Sequence, residues 1–231
     1  MAASICTEAP EALLGWHDLP MTWLILAFDG TDEAAPARRL AARDAHVAFI
    51  TREAEAGRLL LGLPLHDEAG RSLGSLMVVA GDPNAYRAAE PFARHGVWQR
   101  IEAHPFRIAP LPYAPWPDPG GAVQGPRSHT IVIARDAGDE GAPARRMAAR
   151  GAHFDRVRAL AEDGTLLFGG AILDARGERM TGSVAVTRHT DHAAARAFWR
   201  ADPYVTGDVW REMDLHATLL RPLSYRPLPR G

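Results

Sequence analysis

The 231-residue chain contains no lysine, and all 26 of its basic side chains are arginine. This removes Schiff-base and phosphate-loop lysine chemistry and leaves only cations that remain charged at any working pH. Cysteine is almost as scarce. The single thiol, Cys6, allows no intramolecular disulfide and no cysteine-built metal site, so the fold does not rely on an oxidising compartment and a cytoplasmic setting is expected. An excess of one charge is also missing. With 28 acidic side chains the formal net charge is −2, and the broad basic field that nucleic-acid binding needs is absent. The longest apolar run, Trp23 to Phe28, falls far short of the roughly 18 residues of a spanning helix, so neither a signal peptide nor a membrane segment is read. Phosphate loops, G-x-G-x-x-G turns, G-x-S-x-G elbows and H-E-x-x-H helices are missing too, and no metal or cofactor is expected.

A composition of 47% apolar and 23% charged residues belongs to an ordinary folded protein, and the length permits one large domain or two smaller ones. Internal repetition decides for two. Residues 35 to 46 read APARRLAARDAH and residues 142 to 153 read APARRMAARGAH, ten identities in twelve at an offset of 107. The correspondence continues through Gly57 and Gly164, Gly74-Ser75 and Gly182-Ser183, then Glu90-Pro91-Phe92 and Asp202-Pro203-Tyr204, and Trp98 and Trp210. Even the proline-rich stretches pair, Pro110, Leu111 and Tyr113 with Pro222, Leu223 and Tyr225. The expected division is a leader over 1–21, a first domain with a Pro-rich arm over 22–117, a linker over 118–128 and a second domain with a Pro-rich tail over 129–231.

Within each copy, apolar β-rich runs alternate with helical patterns. Short strands start at Thr22 and His129, and helices of about 20 residues run between Pro36 and Gly57 and between Pro143 and Gly164. Strands follow at Leu59 to Leu61, Leu166 to Phe168, Leu73 to Val79 and Met180 to Thr187. Shorter helices over about 84–94 and 191–201 precede a final alternating strand. This order is βαββαβ, the ferredoxin-like unit, and the fold class is α+β. One such unit leaves a sheet face open, so two copies are expected to cover each other as a pseudo-dimer enclosing space between sheets or between sheet and helix.

Three polar groups occur in both copies. Arg43 with His46, and Arg150 with His153, are i, i+3 pairs on one helix side. On a helical wheel the apolar stripe runs through Leu40, Val47, Ile50 and Ala54, matched by Met147, Phe154, Val157 and Ala161, with both arginines inside it and both histidines at its edge. Such an arginine either reaches a carboxylate or ligand, or extends along its stem to solvent. The carboxylates before proline, Glu90 and Asp202, read either as helix-ending turns or as partners of the histidines in acid/base catalysis, where a carboxylate fixes the tautomer of an imidazole that moves a proton. Glu102 with His104 and Asp214 with His216 read as a polar sheet face. The unduplicated His17, His66, His95, His129, His189 and His192 read as surface or loop residues, and Trp98 and Trp210 as core anchors.

The Arg-x-x-His helix, the Gly-x-Leu-Leu strand after it, the Gly-Ser turn and Asp-Pro-Tyr before the last strand resemble the YCII-related proteins, most clearly in the second copy. The resemblance implies a dimeric α-β barrel fold and a histidine–aspartate active site. By motif position that site is His153 with Asp202, and His46 with Glu90, with Arg150, Arg43 and Tyr204 on the substrate side. It further implies a cofactor-independent lyase or isomerase step, such as dehydrochlorination, on a small anionic or phenolic compound. The alternative is a non-catalytic module for a small ligand or protein partner; a homodimer of the fused pair fits either reading. Glu in place of Asp and Phe92 in place of Tyr204 mark the first-copy site as the altered one.

Overall fold

A computed structural model describes residues 21–229 apart from 124 and 126. The expected leader, with Cys6 and His17, lies outside the described residues except for Met21. The chain runs β1 (Thr22–Asp29), α1 (Ala35–Glu55), β2 (Leu59–His66), β3 (Ser72–Val79), α2 (Pro83–Ala89), α3 (Pro91–Arg94) and β4 (Trp98–Ile108). It then repeats as β5 (His129–Asp136), α4 (Ala142–Glu162), β6 (Leu166–Leu173), β7 (Met180–Thr187), α5 (His192–Trp199), α6 (Pro203–Thr206) and β8 (Trp210–Thr218). The long helices end where Gly57 and Gly164 take φ of 69° and 75°, a conformation that costs glycine little. The single shorter helix expected in each half is two, because a residue before proline is pushed to extended backbone. Glu90 and Asp202 sit at ψ of 125° and 137° between the pieces.

All pairings are antiparallel and the eight strands close into one barrel in the order β1-β3-β2-β8-β5-β7-β6-β4. Each half contributes a ferredoxin-like sheet, β4-β1-β3-β2 or β8-β5-β7-β6, and the two join edge to edge. One seam pairs β4 with β6, Phe106 opposite Ile172; the other pairs β2 with β8 at His66 and Ala217. At the first seam the backbone of Arg107 comes so close that a Cβ on Gly170 would lie 2.5 Å from its carbonyl oxygen. Consecutive strand residues are buried, Leu24, Ile25 and Leu26 each at 1% exposure or less, because one sheet face looks into the barrel and the other carries a helix. This is why the strands read as apolar runs. Among the described residues no helix is long and apolar enough to cross a membrane.

The proline-rich arms cross between the halves. Tyr113 follows β4 of the first half, yet its hydroxyl donates to the Gly169 carbonyl (3.0 Å) and accepts from the Gly169 N–H (3.1 Å) on β6. Tyr225 does the same at Gly62 on β2, at 3.3 Å both ways. Each glycine lies just past a register shift in its strand, where the ladder is interrupted. Burial pushes both phenols well above their ordinary pKa, so they stay protonated and keep donating.

The long helices face the sheet differently from the expected stripe. Leu40 and Met147 are 73% and 64% exposed, whereas His46 and His153 are buried. Arg43 is exposed as well, and Arg39 and Arg146 occupy the inner face instead. The buried arc is turned by roughly a quarter turn toward the histidines. The buried residues of α1 are Ala35, Ala42, His46, Phe49, Ile50 and Ala54, and those of α4 are Ala142, Arg146, His153, Val157 and Ala161, so Ile50, Ala54, Val157 and Ala161 of the expected stripe are buried while Leu40 and Met147 are not. His129 at the start of β5 is buried rather than a surface residue.

Two outcomes follow for stability. Removing either arm hydroxyl, as Tyr113→Phe or Tyr225→Phe, leaves a buried glycine amide without its partner and is expected to cost about 1–3 kcal/mol in denaturant unfolding. Burial lowers the His129 and His216 pKa below 6.5, so just below that pH the folded state binds fewer protons than the unfolded chain, and stability falls as pH drops through this region. His216→Leu is therefore expected to narrow the Tm difference between about pH 7.5 and about pH 5.5 relative to wild type; an unchanged difference would mean that His216 is not held neutral.

Candidate functional site

Both duplicated histidines contact the duplicated carboxylates. His153 on α4 places Nδ1 2.8 Å from Asp202 Oδ1, and His46 on α1 places Nδ1 2.5 Å from Glu90 Oε1. All four residues are buried, the two carboxylates completely. An ionised carboxylate only accepts, so Nδ1 carries the proton and donates; in the neutral form of the ring the lone pair is then on Nε2. Beside these contacts, both carboxylates cap the turn that follows them. Asp202 Oδ1 also accepts the Tyr204 N–H at 2.9 Å and caps α6, while Glu90 Oε2 accepts the Ala93 N–H at 2.9 Å and caps α3. The longer glutamate divides the two tasks between its oxygens. The aspartate does both with one, and its Oδ2 faces Arg156 Nε at 3.6 Å.

An aromatic ring backs each imidazole. Tyr204 stacks on His153 with centroids 3.8 Å apart and planes 16° apart, and Phe92 stacks on His46 at 3.9 Å and 10°. Trp210 meets His153 edge-on at 5.5 Å and Trp98 meets His46 at 6.3 Å. Against the same backing rings lie guanidiniums that the sequence reading passed over. Arg146 sits 4.6 Å from the Tyr204 centroid and Arg39 4.5 Å from that of Phe92. Arg146 is held by Asp136 at 2.6 Å and by Ser183 at 2.9 Å, and Arg39 by Asp29 at 2.9 Å. The signal was available, because Arg39 and Asp29 both recur at the offset of 107 as Arg146 and Asp136. Burial raises the Asp136 pKa, with Arg146 opposing it, and raises that of the Tyr204 phenol, which stays protonated.

Each histidine lines a cavity between helix and sheet, and the other half's arm completes it. The second-half cavity, about 40 Å³, is bounded by His153, Tyr204, Arg146 and Phe154 together with Ala109 and Leu111 from the first arm. That volume holds one or a few waters. The first-half cavity, about 200 Å³, is bounded by His46, Phe92, Arg39 and Arg43 together with Leu219 and Arg221 from the second arm. His66, expected at the surface, lines it from β2. Arg150 lies 4.5 Å over the Phe154 ring and is not among the residues lining the second-half cavity, where Arg146 takes that place. Glu102 and His104, 3.4 Å apart on β4, line neither cavity. Among the described residues no group of three or more His, Cys, Asp or Glu side chains is placed to hold a metal ion.

This architecture is that of the dimeric α-β barrels, in which two ferredoxin-like sheets share one barrel. A putative monooxygenase from Fusobacterium nucleatum has the same fold at a TM-score of 0.53 and 11% identity, covering 91% of this chain and 99% of that chain. A chlorite dismutase variant from Candidatus Nitrospira defluvii matches at 0.53 and 12%, covering 88% of this chain and 92% of its own. A 5-chloro-2-hydroxyhydroquinone dehydrochlorinase from Burkholderia phenoliruptrix, 18% identical, covers 38% of this chain and 90% of its own at a TM-score of 0.34. No curated protein matches the sequence. Within the barrel, residues 129–217 match the YCII-related domain family. That span contains His153, Asp202 and Tyr204; the first half lies outside it.

The tautomer can be read directly. In wild type the ¹⁵N shifts of His153 are expected to show a protonated Nδ1. Asp202→Ala is expected to populate the Nε2–H form and to lower stability by about 2–4 kcal/mol as two buried donors lose their acceptor. An unchanged tautomer would remove Asp202 from the orientation of the imidazole.

Proposed function

We propose that the chain is a fused pair of YCII-like units whose histidine–carboxylate pairs move a proton on a small organic compound, as a lyase or isomerase does. The first half is read as a diverged copy of the second, supported by the repeated element order and by ion pairs recurring at one offset. The observation that carries the reading is the pair itself. His153 Nδ1 donates to Asp202 at 2.8 Å, and the ring lines a helix–sheet cavity. With Nδ1–H held, the Nε2 lone pair is the base, and the carboxylate stabilises the imidazolium formed when it accepts a proton. His46 with Glu90 offers the same chemistry. The proton then returns to another atom of the compound, an isomerisation, or is balanced by a leaving anion, an elimination. A phenolic or carboxylic compound suits the arginines around the sites, and the single Cys6 suits a cytoplasmic setting.

The 40 Å³ of the second-half cavity favours a second reading for that half. With room for waters only, its histidine pair then serves to fasten α4 to α6, and the protein acts as a binding module through its other half.

Proton transfer is testable without knowing the product. Small phenols and carboxylic acids incubated with the protein in D₂O are expected to exchange an acidic C–H in some member of the set, followed by ¹H NMR. His46→Ala and His153→Ala together are expected to slow that exchange by about 10²–10⁴-fold. Exchange that survives the double replacement, or that no compound shows, leaves the binding module as the function.

A further inference from the structure

The two cavities are built on the same elements but differ in charge and in space. At the position of Phe154 in the second half the first half has Val47, at that of Leu173 it has His66, and across the fold Arg221 stands where the other cavity has Ala109. The second-half lining holds one guanidinium, Arg146, bound to Asp136. The first-half lining holds three. Arg39 is neutralised by Asp29, while Arg43 and Arg221 make no hydrogen bond or ion pair among the described residues. The Glu90 carboxylate lies behind His46, fully buried and occupied by Nδ1 and the Ala93 amide, so the cavity keeps an excess of positive charge.

We propose that the first-half cavity is a binding site for a small organic carboxylate with an apolar body, its charged end held between Arg43 of α1 and Arg221 of the other half's arm. The inference rests on the functional reading above only in taking a helix–sheet cavity as a ligand site; it requires no proton transfer. Val47, Ile50, Met77 and Phe92 provide an apolar interior, and about 200 Å³ accommodates a single ring. Paired guanidiniums suit a carboxylate, whose two oxygens accept parallel N–H donors. Inside, His66 Nδ1 is buried with no hydrogen-bond partner among the described residues. Burial first, and then Arg39, lower the His66 pKa, so the ring is neutral and adds a hydrogen bond rather than a charge. Since Arg221 comes from the second arm, the site is incomplete without the other half, and the copy that departs from the histidine–aspartate pattern carries the roomier, cationic site.

Benzoate is the probe, with benzamide as its neutral analogue and inorganic phosphate as an anion lacking the ring. Calorimetry on the full chain is expected to show benzoate binding at least about tenfold tighter than either control, with Arg221→Gln losing about tenfold and Arg221→Lys losing less. Shifts confined to His46 and His66 in ¹H–¹⁵N spectra are expected to place the probe. Equal binding of benzamide, phosphate in competition at equal strength, or benzoate affinity indifferent to Arg221→Gln would overturn the proposal, and the first two comparisons need no variant. Benzoate binding together with absent proton exchange would sink the catalytic reading and leave this one standing.

Discussion

A four-stranded antiparallel sheet with two free edges is an unfinished object, and everything else in this protein follows from how those edges are closed. Each ferredoxin-like half ends in β2 on one side and β4 on the other, rows of backbone donors and acceptors that would otherwise template association. Joining β2 to β8 and β4 to β6 removes all edges at once and makes each half the partner of the other. Closure also brings the arms after β4 and β8 onto the opposite half, where Tyr113 and Tyr225 pair with Gly169 and Gly62. The helix–sheet cavities are thereby walled by both halves, as an intermolecular pocket would be in a dimer. With both halves in one chain, each pocket is completed by a different sequence from the one that builds its floor.

Within that frame one short segment does two jobs. The dipeptide of a carboxylate and proline breaks the second helical region because proline forces the residue before it out of helical conformation. The same break aims the carboxylate at the start of the following turn, where it caps a backbone amide, and at the long helix, where it meets a histidine. Change of side-chain length is tolerated because the two geometries divide the work differently: one oxygen shared in Asp202, two oxygens in Glu90. Beneath the histidine, a ring contacted by both imidazole and guanidinium buries a cation against π-faces, with Asp136 or Asp29 supplying the countercharge.

The element order and the barrel class were legible in the sequence because each depends on periodic or punctuating residues: Pro36 and Gly57 at the ends of α1, and the β-rich run at Thr22. The histidine–carboxylate contact was legible because both partners recur while their neighbours change. What could not be read was helix rotation. Leu40 and Met147 carry weight on any wheel, yet they face solvent, and the buried arc runs instead through Ala42, His46, Phe49 and Ile50. With the helix rotation unread, Arg39 and Arg146 were not singled out, although each lies over an aromatic ring and binds a carboxylate ten residues away in sequence. The crossing of the arms was equally hidden, since matched prolines show that the arms correspond but not which half they lie against.

The difference between the halves is more informative than their similarity. Symmetric pockets would need the same residues at Val47 and Phe154 and at Arg221 and Ala109, and at both places the halves differ. A single copy assembled as a homodimer has no such freedom, because any change appears in both sites. Two halves of different sequence in one chain are free of that constraint. The half with aspartate and tyrosine has a nearly filled cavity, whereas the half with glutamate and phenylalanine has a roomier one with two guanidiniums that no carboxylate among the described residues pairs with. Cation placement without a countercharge is costly at a buried site and inexpensive at a solvent-reached rim, so Arg43 and Arg221 can stand at the opening with little loss to the fold. Their charge is then available to a ligand rather than consumed by the protein, which is the condition for recognition of an anion.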